Sequence, residues 1–331
     1  MYRNEQLLEL IKGTVSLTWE PGTALLHLLT LVLTLKRLRC AMSSRMTLFF
    51  AVLLLFASVL CHPQTATCTN WTFFNSFVPS GINRWGTVVG SSAQQRDGSI
   101  AGYVRYSNGT TKKYMDPNAA PPLNWTFLTK RNEYGVTVGY YRDPSQNNHG
   151  LLLSGSSFAT LDYPGSVETI LMGINKWNTV VGFWGLGDFS QPYDGFKMWA
   201  NGAVAAIDAP GAMQTNPAAI SDTGVVVGWF VPRSAQPPFP DHGFVLADGV
   251  YTTVDHPNAN RTFLTDINSS GVIVGSWYQG GSLGGGFLYL NGKFKNVFGP
   301  QGETTGVDGI NNGGYVTGTI SGGSSFIAHC Q

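Results

Sequence analysis

The stretch GINRWGTVVG, residues 81–90, returns along the chain in nearly the same form as GINKWNTVVG at 173–182, AISDTGVVVG at 219–228 and DINSSGVIVG at 266–275. Weaker copies are KRNEYGVTVG at 130–139 and GINNGGYVTG at 309–318. The glycines that close the six copies lie 43 to 49 residues apart: Gly90, Gly139, Gly182, Gly228, Gly275 and Gly318. Six copies at this period indicate a repeat architecture.

A second phrase follows each copy of the first. In the clearest cases it is GFKMW at 195–199, GFVLA at 243–247 and GFLYL at 286–290. A short turn comes next, and another strand-like segment leads into LDYPG at 161–165, IDAPG at 207–211 or VDHPN at 254–258. Short apolar runs separated by Gly, Asn and Asp turns predict four antiparallel strands in each repeat.

The opening phrase has a simple structural interpretation. Ile-Asn is expected to end the first strand, the next residues to turn, and Val-Val-Gly to form the second strand, with the glycine admitting a neighbouring backbone. A four-stranded unit of this length has the size of a β-propeller blade. The sequence therefore predicts an all-β fold, a six-bladed propeller of four-stranded antiparallel blades over residues 67–331.

The ends of the chain are expected to complete the ring. The sixth copy stops at Gln331, inside its third strand, and the segment 62–70 precedes the first blade where an outer strand is needed. An N-terminal strand in that place would remove an exposed sheet edge. Cys68 and Cys330 are the cysteines of the predicted domain and are expected to form a disulfide. The alternatives are Cys61 as the partner, or two unrelated thiols.

The N-terminal part predicts export. Residues 42–66 have a basic start at Arg45 and an apolar run, which are typical of a signal peptide. A lipid on Cys61 is the alternative, but Leu60 before it is not small. Residues 1–41 are a doubtful leader: either translation begins at Met42 or Met46, or the apolar run at 24–35 is a membrane segment. The mature chain is expected to be secreted or to lie in the periplasm or cell envelope, without a membrane span.

Composition narrows the classes of partner. Only 12% of the residues are charged, and the chain has 20 Lys and Arg against 19 Asp and Glu. Six of the basic and three of the acidic residues lie in 1–66, which leaves the predicted domain slightly acidic. Without a basic stripe to pair with phosphates, nucleic-acid binding is not expected.

The pattern Ile-Asn-x-x-Gly-x-Val-Val-Gly, then Gly-Phe-x-x, then Asp-x-Pro-Gly resembles the HAF-type extracellular repeat proteins of bacteria. The resemblance covers about residues 70–331 and is weakest in the first and last copies. It implies an exported repeat protein and no established activity, so no catalytic residues follow from it.

In the predicted propeller, the connections between blades share one face with the loops between second and third strands; we call this the inter-blade face. An aspartate recurs there as Asp162, Asp208 and Asp255. Such an Asp before Pro suits a turn in which its carboxylate accepts backbone N–H bonds; a cation site is the alternative. Three side chains occupy one equivalent position on this face and could act as general acid or base, as metal ligands, or as solvated loop residues: His149, Asp194 and His242.

The opposite face carries the hairpin turns after the first and third strands; we call it the tip face. Trp85, Tyr134 and Trp177 share one turn position in three successive blades. Exposed rings in a row could stack on sugars, or they could fold down over the neighbouring turn.

The sequence favours a binding module over an enzyme. No G-x-S-x-G, H-E-x-x-H or phosphate-binding loop is present. We expect a monomer with a carbohydrate or protein ligand and with no cofactor or metal. The alternative is a propeller hydrolase or lyase acting on a glycan or lactone at the inter-blade face.

Overall fold

The computed structural model describes residues 64–331, except residue 122 and residues 188–192 and 235–239. The doubtful leader, nearly all of the predicted signal peptide, and Cys61 lie outside the described residues. Twenty-five strands are present in the described part of the chain. Within these ranges no helix has the length and apolar character of a membrane span.

The strands form six sheets, which are the blades of the predicted six-bladed propeller. Blades one to five each run from the innermost to the outermost strand in chain order, and all neighbours within these four-strand units are antiparallel. The strands of blade one are β3 (Val78–Ile82), β4 (Val88–Ser91), β5 (Gly102–Arg105) and β6 (Thr111–Tyr114). Those of blade two are β7 (Thr126–Arg131), β8 (Val136–Arg142), β9 (Asn148–Ser154) and β10 (Ser157–Thr160). Those of blade three are β11 (Glu168–Ile174), β12 (Val180–Gly185), β13 (Asp194–Met198) and β14 (Val204–Ile207).

The remaining blades follow the same plan, except that blade six contributes only three consecutive strands. The strands of blade four are β15 (Ala212–Ile220), β16 (Val226–Pro232), β17 (His242–Ala247) and β18 (Val250–Thr253). Those of blade five are β19 (Arg261–Ile267), β20 (Ile273–Gln279), β21 (Ser282–Leu290) and β22 (Lys293–Val297). Those of blade six are β23 (Thr305–Ile310), β24 (Tyr315–Ile320) and β25 (Ser325–Cys330).

Two N-terminal strands lie on the outer edges of the last two blades. β1 (Gln64–Thr65) runs parallel to β22 of blade five. β2 (Cys68–Phe74) runs antiparallel to β25 of blade six and places Cys68 directly opposite Cys330. The predicted Cys68–Cys330 disulfide is confirmed, with an S–S distance of 2.06 Å. The described part of the predicted outer segment, residues 64–70, thus divides between two blades, and the outer strand of blade six continues to residue 74.

The repeated Asn of the opening phrase ties each turn together and links it to the next blade. In blade one the Oδ1 atom of Asn83 accepts the N–H groups of Trp85 and Thr87, and its Nδ2 atom donates to Asn132 O of blade two at 3.2 Å. The same side chain-to-carbonyl bond recurs from Asn132, Asn175, Asn268 and Asn311. These bonds run around the ring on the tip face. Blade four has Ser221 at this position, so among the described contacts the equivalent Nδ2 bond from blade four to blade five is missing.

A β-bulge interrupts the innermost strand of every blade at the same place. The bulge brings a carbonyl of the inner strand against the glycine that closes the opening phrase. A Cβ atom on Gly139 would lie 1.9 Å from Phe127 O, and one on Gly275 would lie 2.1 Å from Phe263 O. The predicted close backbone approach is therefore confirmed, and it explains why this position is glycine in all six copies.

Six clusters of buried apolar side chains fill the six spaces between neighbouring blades. The Phe of the Gly-Phe phrase is fully buried in the centre of this packing, as Phe196, Phe244 and Phe287 show. Between blades six and one, Phe74 and Ile327 pack against Phe77. Each blade therefore covers the apolar face of the next, which leaves the axis of the ring for side chains of the inner strands.

Candidate functional site

The bulged residues of the six inner strands surround the axis of the propeller and line a cavity of about 400 Å³ on its inter-blade side. One residue comes from each blade, in the order Ser80, Thr129, Met172, Ala218, Thr265 and Asp308. A bulge turns an extra side chain out of the strand pairing, and here the extra side chain points toward the axis. This position gives the molecule an axial cavity whose chemistry differs from blade to blade.

Aromatic rings form much of the remaining wall of the axial cavity. Phe127 and Tyr140 of blade two stack with ring centroids 4.5 Å apart, and Trp229 of blade four also lines the cavity. Trp229 directly follows Gly228, the closing glycine of its copy, just as Tyr140 follows Gly139. Its place in the wall follows from the bulge, which draws the inner strand aside and leaves the second strand's side chain facing the axis.

Lys130 crosses the axis and separates the cavity from the tip face. It follows the bulge of blade two, and its Nζ atom donates to Asp266 Oδ2 of blade five at 2.9 Å, although these blades are opposite each other in a six-membered ring. The same ammonium donates to Ser80 O and Asp308 O at 3.0 Å. A Cβ atom on Gly81 would lie 2.7 Å from Lys130 Cδ. The glycine of blade one thus leaves the path along which the lysine reaches the far wall.

The Asp266 carboxylate is stabilised by three hydrogen-bond donors. Its Oδ2 atom accepts the N–H of Ile310 at 2.9 Å in addition to Lys130, and its Oδ1 atom accepts the N–H of Ile267 at 2.9 Å. Both side chains of the ion pair are about nine-tenths buried. Three hydrogen bonds on one carboxylate satisfy a buried anion that would otherwise be costly.

Asp308 is the third ionisable group at the axis and is less well satisfied. Its carboxyl lines the cavity, and within the described part of the chain no hydrogen-bond donor contacts it. The Asp308 side chain is partly exposed, but the exposed part faces the cavity, and protein surrounds the rest. Burial raises the pKa of Asp308 to about 7, against the opposing attraction of Lys130.

Our sequence reasoning missed these three residues, although the repeat contains a signal for them. Aligned on the opening phrase, the six copies read SGIN, TKRN, MGIN, AAIS, TDIN and DGIN, beginning at residues 80, 129, 172, 218, 265 and 308. Lys130 and Asp266 stand in a column that is otherwise Gly or Ala, and Asp308 stands in the preceding column. A charge in a column of small residues on an inner strand points to the axis.

On the tip face, the residues after the repeated Asn form a ring of alternating charge around a narrow recess of about 90 Å³. Arg84 bonds Glu133 of the next blade at 3.0 Å, and Lys176 N donates to Asp222 Oδ1 of the blade after it, also at 3.0 Å. The ring is completed by the neutral side chains Ser269 and Asn312. The mouth is therefore charged on blades one to four and uncharged on blades five and six.

The three predicted aromatic residues of the tip face are highly exposed: Trp85 by 60%, Tyr134 by 72% and Trp177 by 63%. The indole N–H groups of Trp85 and Trp177 donate to Glu133 O and Asp222 O of the neighbouring turns, each at 3.0 Å. The predicted contact with the neighbouring turn is thus present for Trp85 and Trp177. These two rings lean toward the next blade, and most of the surface of all three rings remains open to solvent.

Cations hold the same two tryptophans in place. The guanidinium carbon of Arg84 lies 4.7 Å from the ring centroid of Trp85, and Lys176 Nζ lies 4.8 Å from that of Trp177. An N–H bond at the edge and a cation near the face fix the orientation of each ring. The tip face therefore presents rings whose position is set before any ligand arrives.

On the inter-blade face, each predicted histidine is paired with the recurring Asp of its own blade. His149 Nδ1 lies 2.8 Å from Asp162 Oδ2, and His242 Nδ1 lies 2.7 Å from Asp255 Oδ2. Because a carboxylate only accepts, Nδ1 carries the proton in both pairs. The second oxygen of each Asp accepts a backbone N–H of the third strand, which is the role expected for this Asp in a turn.

Blade three has two carboxylates where its neighbours have a His and an Asp. Burial, and then repulsion by Asp208, raise the pKa of Asp194. The structure thus brings the predicted residues together as three separate pairs, one on each of blades two, three and four. In the described ranges no group of three or more His, Cys, Asp or Glu side chains is placed to hold a metal ion.

We expect His149 to titrate above the usual range of histidine, and Asp162→Asn to lower its pKa. Burial opposes its protonation, but the hydrogen bonds and attraction of Asp162 and Asp143 together exceed that effect and raise the pKa of His149. A raised folded-state pKa stabilises the fold fully below the unfolded value and loses this contribution as pH rises through the folded value. NMR titration of the imidazole protons measures the pKa, with His242 in the same spectrum as an internal control. A pKa of His149 that is unchanged in the variant would contradict the pairing.

Comparison with solved structures finds propeller proteins. A gluconolactonase from Xanthomonas campestris superposes with a TM-score of 0.50 at 10% identity, over 83% of this chain and 93% of that one. A catalytically inactive virginiamycin B lyase from Staphylococcus aureus gives 0.46 at 10% identity, over 78% and 99%. The β-propeller domain of the trilobed protease from Pyrococcus furiosus gives 0.46 at 10% identity, over 74% and 77%. At these identities the likeness concerns the fold alone, and the chain is a six-bladed β-propeller protein.

Comparison with protein-family models and with curated protein sequences finds no match. The function must therefore be argued from the surfaces of this molecule.

Proposed function

We propose that this propeller is an exported binding module that takes carbohydrate on its tip face. The observation that carries the proposal is the set of three exposed aromatic rings, Trp85, Tyr134 and Trp177, in equivalent positions of successive blades. Flat apolar rings stack on the C–H faces of sugars, and rings that are already held in place lose little freedom on binding.

The mouth beside these rings supplies the polar half of such a site. Arg84, Glu133, Lys176 and Asp222 offer both donors and acceptors, and a sugar carries hydroxyl groups that are both. A mouth whose side chains all carried charge of one sign would favour a ligand of the opposite charge. Side chains of alternating charge suit a neutral ligand with many hydroxyl groups. A protein ligand is the other partner compatible with exposed aromatic and charged side chains.

Export and family membership belong to the same proposal. The HAF-type repeat pattern and the predicted signal peptide of residues 42–66 support export. A monomer is part of the same proposal. The Cys68–Cys330 disulfide is compatible with the extracellular space or the periplasm, where such bonds persist.

A second candidate function rests on a different observation, the His–Asp pairs of the inter-blade face. An Asp that holds Nδ1 leaves Nε2 of His242 available as a general acid or base, whereas Nε2 of His149 also lies 3.5 Å from Asp143 Oδ2. His149 and His242, with Asp194 between them in sequence, would then act on a glycan or lactone. This enzyme would lose turnover on His149→Ala and His242→Ala and would keep it on substitution of the tip-face rings.

We expect Trp85→Ala and Trp177→Ala each to weaken glycan binding at least tenfold, since each removes a stacking surface. The measurement is a glycan screen on the protein from residue 64 onward, followed by calorimetry with the strongest ligand. Trp199→Ala is the matched control, because Trp199 is also exposed and also lies beside a cation, Lys197, but is not at the mouth. Glycan binding that survives both mouth substitutions, or fails equally with Trp199→Ala, would exclude this site.

A further inference from the structure

The axial cavity on the inter-blade side is a second candidate site, independent of the tip face. It has about 400 Å³ of space, which is within the range of small-ligand pockets. Its wall combines aromatic and aliphatic side chains with hydroxyl groups and one carboxyl that no described donor contacts. This carboxyl, Asp308, faces the cavity, where a bound ligand could supply the partner that the described part of the chain does not.

The charges at the axis do not cancel. Lys130 and Asp266 neutralise each other through their 2.9 Å contact, and Lys130 spends its other two close contacts on carbonyl oxygens. Asp308 is then left without a counter-charge, so the ionised site carries one net negative charge. The remaining titratable side chain of the wall is Tyr140, an uncharged phenol whose pKa burial raises further, to about 12.

We propose that the axial cavity binds a small organic ammonium cation, with Asp308 as its counter-charge and with Phe127, Tyr140 and Trp229 around it. Aromatic rings attract organic cations through their electron-rich faces, and the attraction grows where water is excluded. A quaternary or alkylated ammonium also buries its methyl groups against such walls. An anion would meet Asp308 unfavourably, and a neutral ligand would leave its charge uncompensated.

The ligand should bind to the ionised form of Asp308. Because burial places the pKa of Asp308 near 7, binding of a cation should strengthen as pH rises. If only the ionised fraction is competent, the affinity should be roughly 30-fold weaker near pH 5.5 than near pH 8. The other charged groups near Asp308 are Lys130 and Asp266, which contact each other at the floor of the cavity.

The test uses choline as the probe and 3,3-dimethyl-1-butanol, its uncharged carbon isostere, as the control ligand. Calorimetry or NMR titration should show that choline binds the wild-type protein and the alcohol does not, with the pH dependence given above. Asp308→Asn should weaken choline binding more than tenfold. It should not lower the melting temperature, because the substitution removes a carboxyl that has no counter-charge. Equal affinity for choline and the alcohol, or choline binding unchanged in Asp308→Asn, would overturn the proposal, as would no binding of choline at any pH.

A steric variant tests the location separately from the charge. Ala218 and Met172 occupy equivalent bulged positions, so the fold already accepts methionine there. Ala218→Met should fill the cavity and block choline while Asp308 remains. If Ala218→Met binds choline as the wild type does, the cation lies elsewhere. Neither variant alters Trp85 or Trp177, so these results are distinguishable from failure of the carbohydrate proposal.

Discussion

Loss of the Cys68–Cys330 disulfide is expected to lower the free energy of unfolding by about 4–5 kcal/mol. The two cysteines are 262 residues apart, so the bond closes almost the whole described chain into one loop. In the chain-entropy account, such a cross-link restricts the unfolded chain, and the effect grows slowly with loop length. This is a large part of the stability of an ordinary domain.

In the protein without the disulfide, we expect strand β2 to detach locally before the whole domain unfolds. β2 has β25 as its sheet partner, and Trp71 packs on Phe326 with ring centroids 5.0 Å apart. Without the disulfide, β2 is held on blade six by noncovalent contacts such as these, with a sheet partner on one side, so β2 should exchange its amide protons earlier than β24, which is paired on both sides.

Urea denaturation of the oxidised protein, the reduced protein and Cys68→Ser/Cys330→Ser measures the effect. The reduced and double-variant proteins should agree with each other and unfold at a lower urea concentration. Equal midpoints for all three would show that the bond does not constrain the unfolded chain, and two free thiols in the native protein would show that it does not form.

The fold was largely predictable because its determinants are local and repeated. The Asn of the opening phrase, the residue with positive φ in its turn, and the closing glycine each act within one blade or on the next one. Five of the turns use Gly at the positive-φ position, and Asn178 with φ of 58° takes its place in blade three. Because the same local pattern occurs six times, it predicts both the structure of each blade and the number of blades.

The axial groups were not predictable in the same way, because they break the repeat. Lys130 and Asp266 are 136 positions apart and meet only because the ring places blade two opposite blade five. Each is ordinary in its own copy, and only the geometry of closure shows that one compensates the other. The bulge adds to the difficulty, since it exchanges which side chain of the inner strand faces the axis.

The candidate surface residues fall between these cases. The position of Trp85, Tyr134 and Trp177 on one turn followed from the alignment of the copies, and so did the equivalence of His149 and His242. Their partners did not follow, because Asp222 and Glu133 act on residues of the preceding blade. A repeat alignment therefore locates a side chain on a face and leaves open what that side chain contacts.

Replacing one member of the Lys130–Asp266 pair is expected to be among the most damaging changes in the propeller. Lys130→Met leaves the Asp266 carboxylate with its two backbone donors and no counter-charge at a site about nine-tenths buried. Removing one partner of a buried pair typically costs about 3–5 kcal/mol, because the other charge remains without compensation. Asp266→Asn keeps an oxygen for one of the two backbone donors, places its amide NH2 group against the other, and leaves the ammonium of Lys130 without the counter-charge of Asp266.

The double variant Lys130→Met/Asp266→Asn separates charge from packing. It removes both charges and keeps an aliphatic chain across the axis, so we expect it to be more stable than either single variant and to show a coupling energy of at least about 2 kcal/mol. The exposed pair Arg84–Glu133 is the matched control: its N···O distance is a similar 3.0 Å, but half of the Arg84 side chain is exposed. There Arg84→Met should cost less than about 1 kcal/mol. Chemical denaturation of the four proteins and the control gives all of these values. Additive effects of the two single variants would contradict this prediction, because they would mean that Lys130 and Asp266 stabilise the inner strands independently and not through their ion pair.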